Sequence, residues 1–399
     1  MTVVDKNHPT REWVEQLRRR FPCEPEIDRI LTRKMRRRAG PPYAPVSLET
    51  LVQGTTALIG SELKSAFRIT DARWLSGGAS KLQMAFGLSW DQPGVGRTTT
   101  PMVLRMEPSE SIVETSRLRE FQIIKAMDGT VPVPPTYWVD PEGRYLPYPA
   151  IVYGFAPGVT KPTSGVSNVA GLGTNLGAGL RPVLAPQFID HLAKIHNFDW
   201  STAVLDAFDR PAAGTTQAIE WQLNQWERIW DEDAHEDVPL MRLAISWLRN
   251  NMPPTDKISV VHGDYRTGNF LYTEHDSRIS AWLDWELAHL GDRHEDLAWV
   301  YNLIFGHLAE DGKTFLVCGL MSEEKFSEAY EKASGLTIDR KVLTYYKVKM
   351  AYQLAVIAVA TPYRVCSGGK THQDILVAWI MGAAYPILND LRALLEVVL

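Results

Sequence analysis

Three cysteines are all that the 399 residues contain: Cys23, Cys318 and Cys366, far apart and with no CxxC pair. That excludes a zinc ribbon and a disulfide framework, and it suits a reducing cytosol. Basic charge is also scarce, since 42 lysines and arginines stand against 47 aspartates and glutamates, for a net charge of -5. A nucleic-acid partner needs clustered excess lysine and arginine to meet its phosphates, so no nucleic acid is expected as a major partner. Long apolar runs are missing too. Leu354 to Ala360, the longest near the C-terminus, is bounded by Lys349 and Arg364 and falls far short of the roughly 20 residues a membrane span needs. The stretch from Asp5 to Arg20 is polar, so no signal peptide is visible. No internal repeat or long low-complexity tract occurs. With 45% hydrophobic residues the chain can bury large cores, and its length predicts two or three domains in a cytoplasmic, globular protein without membrane insertion.

Against these absences stands one dense stretch of polar chemistry. His262-Gly263-Asp264-Tyr265-Arg266-Thr267-Gly268-Asn269 is followed by Trp282-Leu283-Asp284-Trp285-Glu286. An acid, an amide five residues on and a second acid twenty residues on suit one task, the movement of a phosphoryl group from a magnesium-bound nucleotide to a hydroxyl. Asp264 would accept the hydroxyl proton, and Asn269 and Asp284 would hold the metal that neutralises charge on the phosphates. Arg266, inside the same motif, is counted with Asp264 and His262 in the catalytic set. The apolar runs Ile258 to Val261 and Ile279 to Leu283 each read as a short buried strand delivering polar residues at its end.

Upstream, the pattern from Ile69 to Tyr153 is one of short strands. Ser76-Gly77-Gly78-Ala79-Ser80-Lys81 separates two of them as a hairpin turn, so the backbone N–H groups of Gly77, Gly78 and Ser80 could cover phosphates. Lys81 reads best as a snorkelling surface lysine. Pro101 to Met106 is a further strand carrying Arg105, and Glu114 to Met127 a helix carrying Glu120: a cation for the phosphates and an acid to hold it. Gly154, between Tyr153 and Phe155, reads as a hinge whose free backbone groups could meet a purine edge. Before the strands, residues 1–65 have helical patterning. The basic clusters Arg18 to Arg20 and Arg33 to Arg38 read as solvated helix faces rather than an anionic contact. After them, 158–186 reads as a long inserted loop, and the rest is helix-rich, with candidates at Ala218 to Asp233, Pro239 to Asn250, Asp296 to Phe305, Glu323 to Ser334, Asp339 to Ala360 and His372 to Val397. The acids Asp231-Glu232-Asp233 and Glu236-Asp237 could attract a cationic acceptor such as an aminoglycoside, but a solvated loop is the plainer reading.

Other apparent motifs fail. Gly368-Gly369-Lys370-Thr371 has the tail of a P-loop, but Arg364 stands where the first glycine must be. His191 and His196 are five apart, not the four that lets two imidazoles share a zinc. Gly171 to Gly177 resembles a dinucleotide loop without a strand before it, and Ser76 and Ser80 are not in a GxSxG elbow.

The catalytic stretch, continued through Leu283 to Trp299, with Leu75 to Ser80 and Val103 to Pro108, resembles the aminoglycoside phosphotransferase family, within the larger group of choline kinases and protein-kinase-like folds. It looks most similar to the branch related to the kinase-like domains of acyl-CoA dehydrogenase fusion proteins. The resemblance implies an α+β, protein-kinase-like, two-lobed fold, with an antiparallel-sheet N-lobe at 66–155 and a mostly helical C-lobe at 156–399. It implies His262 as the brace of the catalytic loop, Asp296 as an acid that accepts hydrogen bonds from that loop's backbone, and ATP (or GTP) with Mg²⁺ between the lobes. One departure stands out: Arg105 replaces the family's usual strand lysine. It keeps the charge and can pair with Glu120, but the exchange is not conservative at a phosphate. The expected activity is ATP-dependent transfer of the γ-phosphoryl group to a small-molecule hydroxyl. Two alternatives stay open: a hydroxyacyl-CoA or other small-alcohol kinase rather than an aminoglycoside kinase, and a nucleotide-binding pseudokinase. Nothing in these residues sets an oligomeric state.

Overall fold

The structure, a computed structural model, describes residues 5–75, 81–163, 172–371 and 374–399. It opens with two helices. α1 (Arg11–Arg20) starts where the Thr10 hydroxyl accepts the Trp13 N–H at 3.2 Å, one of the donors that a helix leaves unpaired at its start. α2 (Pro25–Arg37) has proline in its first turn, where the missing N–H costs nothing.

Two basic residues at the end of α2 are not solvated, which corrects part of the sequence expectation, while Arg36 is exposed as expected. Lys34 and Arg38 are buried, with Lys34 Nζ 2.6 Å from Glu232 and 3.2 Å from Asp233, and Arg38 2.5 Å from Asp233. The two acids therefore lie neither in a solvated loop nor free for an acceptor. Burial would raise the Asp233 pKa, but Arg364, Lys34 and Arg38 hold it well below the usual carboxylate range. The other side of α2 reaches the sheet domain: Arg33 meets Glu107 at 3.1 Å, and Arg29 pairs with Glu142.

α3 (Leu48–Glu62), capped by Ser47, lays Leu51, Leu58 and Ile59 on the sheet. That sheet has five antiparallel strands: β1 (Arg68–Trp74), β2 (Leu82–Gln92), β3 (Gly96–Met106), β4 (Thr136–Asp140) and β5 (Ala150–Gly154), in the spatial order β1-β2-β3-β5-β4. β3 begins five residues before the expected Pro101, because Thr98, Thr99 and Thr100 extend the pairing to Trp90, Ser89 and Leu88. Between β3 and β4 runs the single helix α4 (Arg117–Met127), capped by the Ser116 hydroxyl. Met84, Phe86, Leu104, Met106 and Val152 fill the sheet's core.

The second lobe is helical. α5 (Gly177–Asn197) corrects the loop expected over 158–186, since its last ten residues are already helix. Pro182 and Pro186 lie inside this helix, although each removes a helical hydrogen bond. Here Leu184, Ala185 and Phe188, all buried in the main core, hold those turns in place. α6 (Gln217–Asp233) and α7 (Pro239–Asn250) follow. Two hairpin-like pairs then carry the polar motif: β6 (Ser259–Val261) pairs with β9 (His289–Gly291), and β7 (Phe270–Thr273) with β8 (Arg278–Trp282). α8 (His294–Val300) is shorter than expected; a separate turn forms at Leu303–Phe305. α9 (Glu323–Ser334) leads to α10 (Arg340–Ala355), which passes through a π-helical turn, Val356–Ala360, into α11 (Thr361–Ser367). α12 (Asp374–Met381) and α13 (Ala384–Val398) end the chain where one long helix was expected.

Candidate active site

Four short strand ends converge beneath the sheet. Asn269 immediately precedes β7 and Asp284 follows β8, and the Leu283 N–H donates to the Asn269 carbonyl at 2.8 Å, so the two residues are neighbours across one ladder. Tyr265 stacks on Trp282 with ring centroids 4.0 Å apart, fixing the loop between β6 and β7 to β8. Gly263 has φ +82°, and a Cβ there would come within 2.7 Å of the Leu287 carbonyl oxygen, so the loop needs glycine at this point.

His262 and Asp296 hold that loop, as the resemblance implied. The His262 and Gly263 N–H groups donate to the two Asp296 oxygens at 2.8 and 2.9 Å. His262 Nδ1 accepts the Asp264 N–H at 3.2 Å, and Nε2 donates to the Leu283 carbonyl at 3.0 Å. Those partners fit a neutral imidazole, in line with the burial that lowers its pKa.

Asp264 keeps 19% of its side chain exposed. Its Oδ1 accepts from Arg266 Nε at 2.8 Å and from the Trp299 indole N–H at 2.6 Å; its Oδ2 accepts from Asn269 Nδ2 at 2.5 Å. Burial raises its pKa above 3.8, with Asp284 acting in the same sense and Arg266 and His262 against it. Asp284 is more open, its side chain 41% exposed, and its backbone is left-handed at φ 58°. Such conformations cluster at functional sites, and aspartate tolerates them better than most residues.

Arg105 links the two lobes. Its Nη1 is 2.8 Å from Glu120, and its Nη2 is 2.6 Å from Asp284 and 3.3 Å from Glu286. The expected pairing of strand cation with helix acid is therefore present. Around it the sequence reading missed two cations. Lys81 is buried rather than snorkelling, 3.2 Å from Glu286 and 3.0 Å from the Ser111 hydroxyl. Arg117, in the first turn of α4, pairs with Glu120 and lies 2.9 Å from Glu286. Burial would raise the Glu286 pKa, but Lys81, Arg105 and Arg117 hold it well below the usual range. Glu286 is thus a clamp for three cations. A helical spacing of three between Arg117 and Glu120 was the one available signal for Arg117.

A cleft of about 530 Å³ is lined by Arg105, Tyr153, Phe155, Arg266, Asn269 and Asp284 among others, within the usual range for a small-molecule site. A separate groove of about 610 Å³ between α1 and α2 is lined by Arg18, Arg19, Arg29 and Arg36 with Glu15 and Asp28, and contains none of the site residues. Tyr153 and Phe155 do line the cleft, but the hinge differs from expectation. The Gly154 N–H donates to Pro135 and the Phe155 N–H to Pro101, so neither amide is free for a base. Gly77, Gly78 and Ser80 lie outside the described residues. His191 accepts from the Trp282 indole N–H and His196 bonds Tyr330 and Asp296, which makes both structural.

The sequence profile of the phosphotransferase enzyme family matches residues 84–333. The chain belongs to that family. Membership places it among small-molecule kinases, with the two-lobed α+β fold of its solved relatives. A protein from Ralstonia eutropha assigned to the aminoglycoside phosphotransferases aligns over 88% of this chain and 98% of its own, with TM-score 0.60 and 20% identity. The GDP and kanamycin complex of APH(2")-IIIa aligns over 84% and 97%, with TM-score 0.52 and 14% identity. Among curated proteins, acyl-CoA dehydrogenase family member 11 of Gallus gallus is 29% identical over 47% of this chain and 24% of its own length. The probable acyl-CoA dehydrogenase IBR3 of Arabidopsis thaliana is 26% identical over 61% and 30%. The chain thus spans less than a third of the length of these relatives. No helix among the described residues is long and apolar enough to cross a membrane.

Proposed function

We propose that the protein transfers the γ-phosphoryl group of ATP to a hydroxyl of a small molecule. The observation that carries this reading is the meeting at one cleft of Asn269, Asp284 and Arg105, with Asp264 hydrogen-bonded to Asn269 and Arg105 ion-paired to Asp284. Asp264 orients the acceptor hydroxyl and takes its proton. Its raised pKa brings it closer to neutrality, as suits a general base. Arg266, beside it, adds positive charge where the transferring group gathers negative charge.

One carboxylate and one amide oxygen are hard donors that fit Mg²⁺, which keeps several waters and takes the rest of its ligands from phosphates. Asp284 and Asn269 would hold it, and the Asn269 amide fits because its nitrogen serves Asp264 and leaves its oxygen for a cation. When bound, the ion neutralises phosphate charge. Arg105, kept in place by Glu120, positions the phosphates, and Tyr153 and Phe155 flank the base. GTP is the alternative nucleotide. Cytoplasmic residence remains the expectation.

The acceptor is less closely marked. Glu232 and Asp233, two of the five acids that could have drawn a cationic amino sugar, are consumed in buried ion pairs with Lys34 and Arg38, while Glu236 and Asp237 stay exposed. That favours a neutral or anionic alcohol, including a hydroxyacyl thioester, over an aminoglycoside. The test is Mg·ATP consumption against pooled amino sugars, choline-like amines, hydroxyacyl-CoAs, simple alcohols and macrolides, with Asp264→Ala as the blank. Turnover in one pool that vanishes in the blank supports the reading and names the class. Nucleotide binding without transfer in any pool points to a pseudokinase.

A further inference from the structure

α8 touches the catalytic loop twice from one face. Asp296, in its first turn, accepts the His262 and Gly263 N–H groups. Trp299, three residues on and so on the same side of the helix, donates its indole N–H to Asp264 Oδ1 at 2.6 Å. The Trp299 ring is buried, 4% exposed, and lies against Phe305 with centroids 5.4 Å apart and planes tilted by 30°. Phe305, 1% exposed, carries the Arg266 guanidinium 5.2 Å from its ring centroid. Arg266 in turn donates Nε to the same Asp264 Oδ1. Asp264, Trp299, Phe305 and Arg266 therefore form a closed ring of contacts. Two donors load one carboxylate oxygen, while the other carries only Asn269.

We propose that Trp299 is a positioning residue for the phosphoryl-transfer reaction: by tying down Oδ1 it fixes the Asp264 carboxylate so that Oδ2 is the oxygen presented to the acceptor hydroxyl. This rests on the function proposed above. A carboxylate can turn about its terminal bond with little resistance, and the Arg266 contact alone leaves that rotation to a long side chain. The indole N–H is different, because the ring that carries it is locked by packing and has a single donor with no acceptor capacity. A small misplacement of a reacting group is costly, on the order of a hundredfold in rate. Trp299 acts through Asp264 and is not itself assigned contact with substrate.

Two measurements on the full-length protein separate this proposal from the reading beneath it. In ¹⁵N-tryptophan-labelled protein, the Trp299 indole resonance is the one lost in Trp299→Phe. It is expected downfield of the other indoles and should move upfield in Asp264→Asn. A resonance that Asp264→Asn leaves in place would overturn the contact. In the pooled-acceptor assay, Trp299→Phe should lower kcat between about tenfold and about a hundredfold, with KM for ATP within about twofold of the wild type. Trp299→His, which retains a ring N–H, should recover part of that loss. It also serves as the test variant if Trp299→Phe does not fold. Equal kcat in wild type and Trp299→Phe, or no difference between the Phe and His variants, would sink the positioning role. If the wild type transfers phosphate to no acceptor, the proposed function fails and the positioning role falls with it, whereas the resonance still decides the hydrogen bond.

Discussion

The two acids of the cleft are held in different ways. Asp284, 41% exposed, is gripped at Oδ1 by the Arg105 guanidinium at 2.6 Å, a full charge with which an incoming metal ion competes. Asp264, 19% exposed, is fixed by an indole N–H, an amide and one guanidinium, none of which has to leave for it to work. The metal end is therefore set up to change when ligands arrive, and the base end is preset. The cations follow the same division: Lys81, Arg105 and Arg117 crowd around Glu120 and Glu286 at the first end, and Arg266 stands beside Asp264 at the second.

The hardest blow to this contrast is Asp264→Ala. Loss of the base should reduce turnover on the order of a thousandfold while calorimetric titration still detects Mg·ATP binding. Normal turnover would remove Asp264 from the mechanism. Next comes Asp284→Ala, which should weaken nucleotide binding in Mg²⁺ by roughly tenfold to a hundredfold and leave metal-free binding nearly unchanged. Equal losses with and without Mg²⁺ would mean that Asp284 is no ligand. Arg105→Lys sharpens the comparison with a smaller effect. One ammonium cannot reproduce the separate Nη1 and Nη2 contacts to Glu120 and Asp284, so the Mg²⁺ concentration giving half-maximal activity should fall by about two- to fivefold as a competing partner is removed. A rise instead would show that Arg105 helps to hold Asp284 ready.

Stability offers a contrast away from the cleft. Asp233→Ala would leave Lys34, Arg38 and Arg364 buried without it and should cost about 3–5 kcal/mol in urea unfolding. The Asp233 pKa is depressed in the folded state, so its contribution is fully present above the ordinary aspartate value and is lost as pH falls through the folded one. His191 gives the mildest pH effect and acts earlier. Burial lowers its pKa from 6.5 to about 4, so the unfolded chain binds the extra proton between those values, and stability should begin to decline as pH drops below 6.5. In His191→Gln that first decline should become shallower in melting curves taken between pH 7 and pH 5, the remainder coming from His196 and His262, whose pKa values burial also lowers.

What could be seen in the residues was whatever is encoded locally. Asp264, Asn269 and Asp284 sit at fixed spacings behind short apolar runs, and strands and loop formed there. Arg105 and Glu120 are fifteen residues apart on adjacent elements, and their pairing followed. Lys81 was misjudged because its partner Glu286 belongs to another lobe, and a lysine beside a glycine turn carries no mark of a remote carboxylate. Lys34 and Arg38 misled for the same reason, their partners being on α6. Trp299 was visible as a letter of the motif, but its indole N–H finds Asp264 only through the packing of α8. The first ten residues of α5 read as part of the loop over 158–186; burial of Leu184 and Ala185 in the main core makes them helix.

α2 has a consequence for the order in which the protein can be assembled. Lys34 and its partner Asp233 are separated by 199 positions. During synthesis at roughly 5–20 residues per second, the cations of α2 wait some ten to forty seconds for the acids that will bury them. Through that interval α2 has only α1 and the sheet domain to pair with, the latter through Arg33 and Arg29 and complete before α6 exists. Closing such a long loop is slow compared with forming any one helix. The seating of α2 on α6 is then expected to be a late step of folding, which ties the joining of the two lobes to a helix that contributes nothing to the chemistry of the cleft.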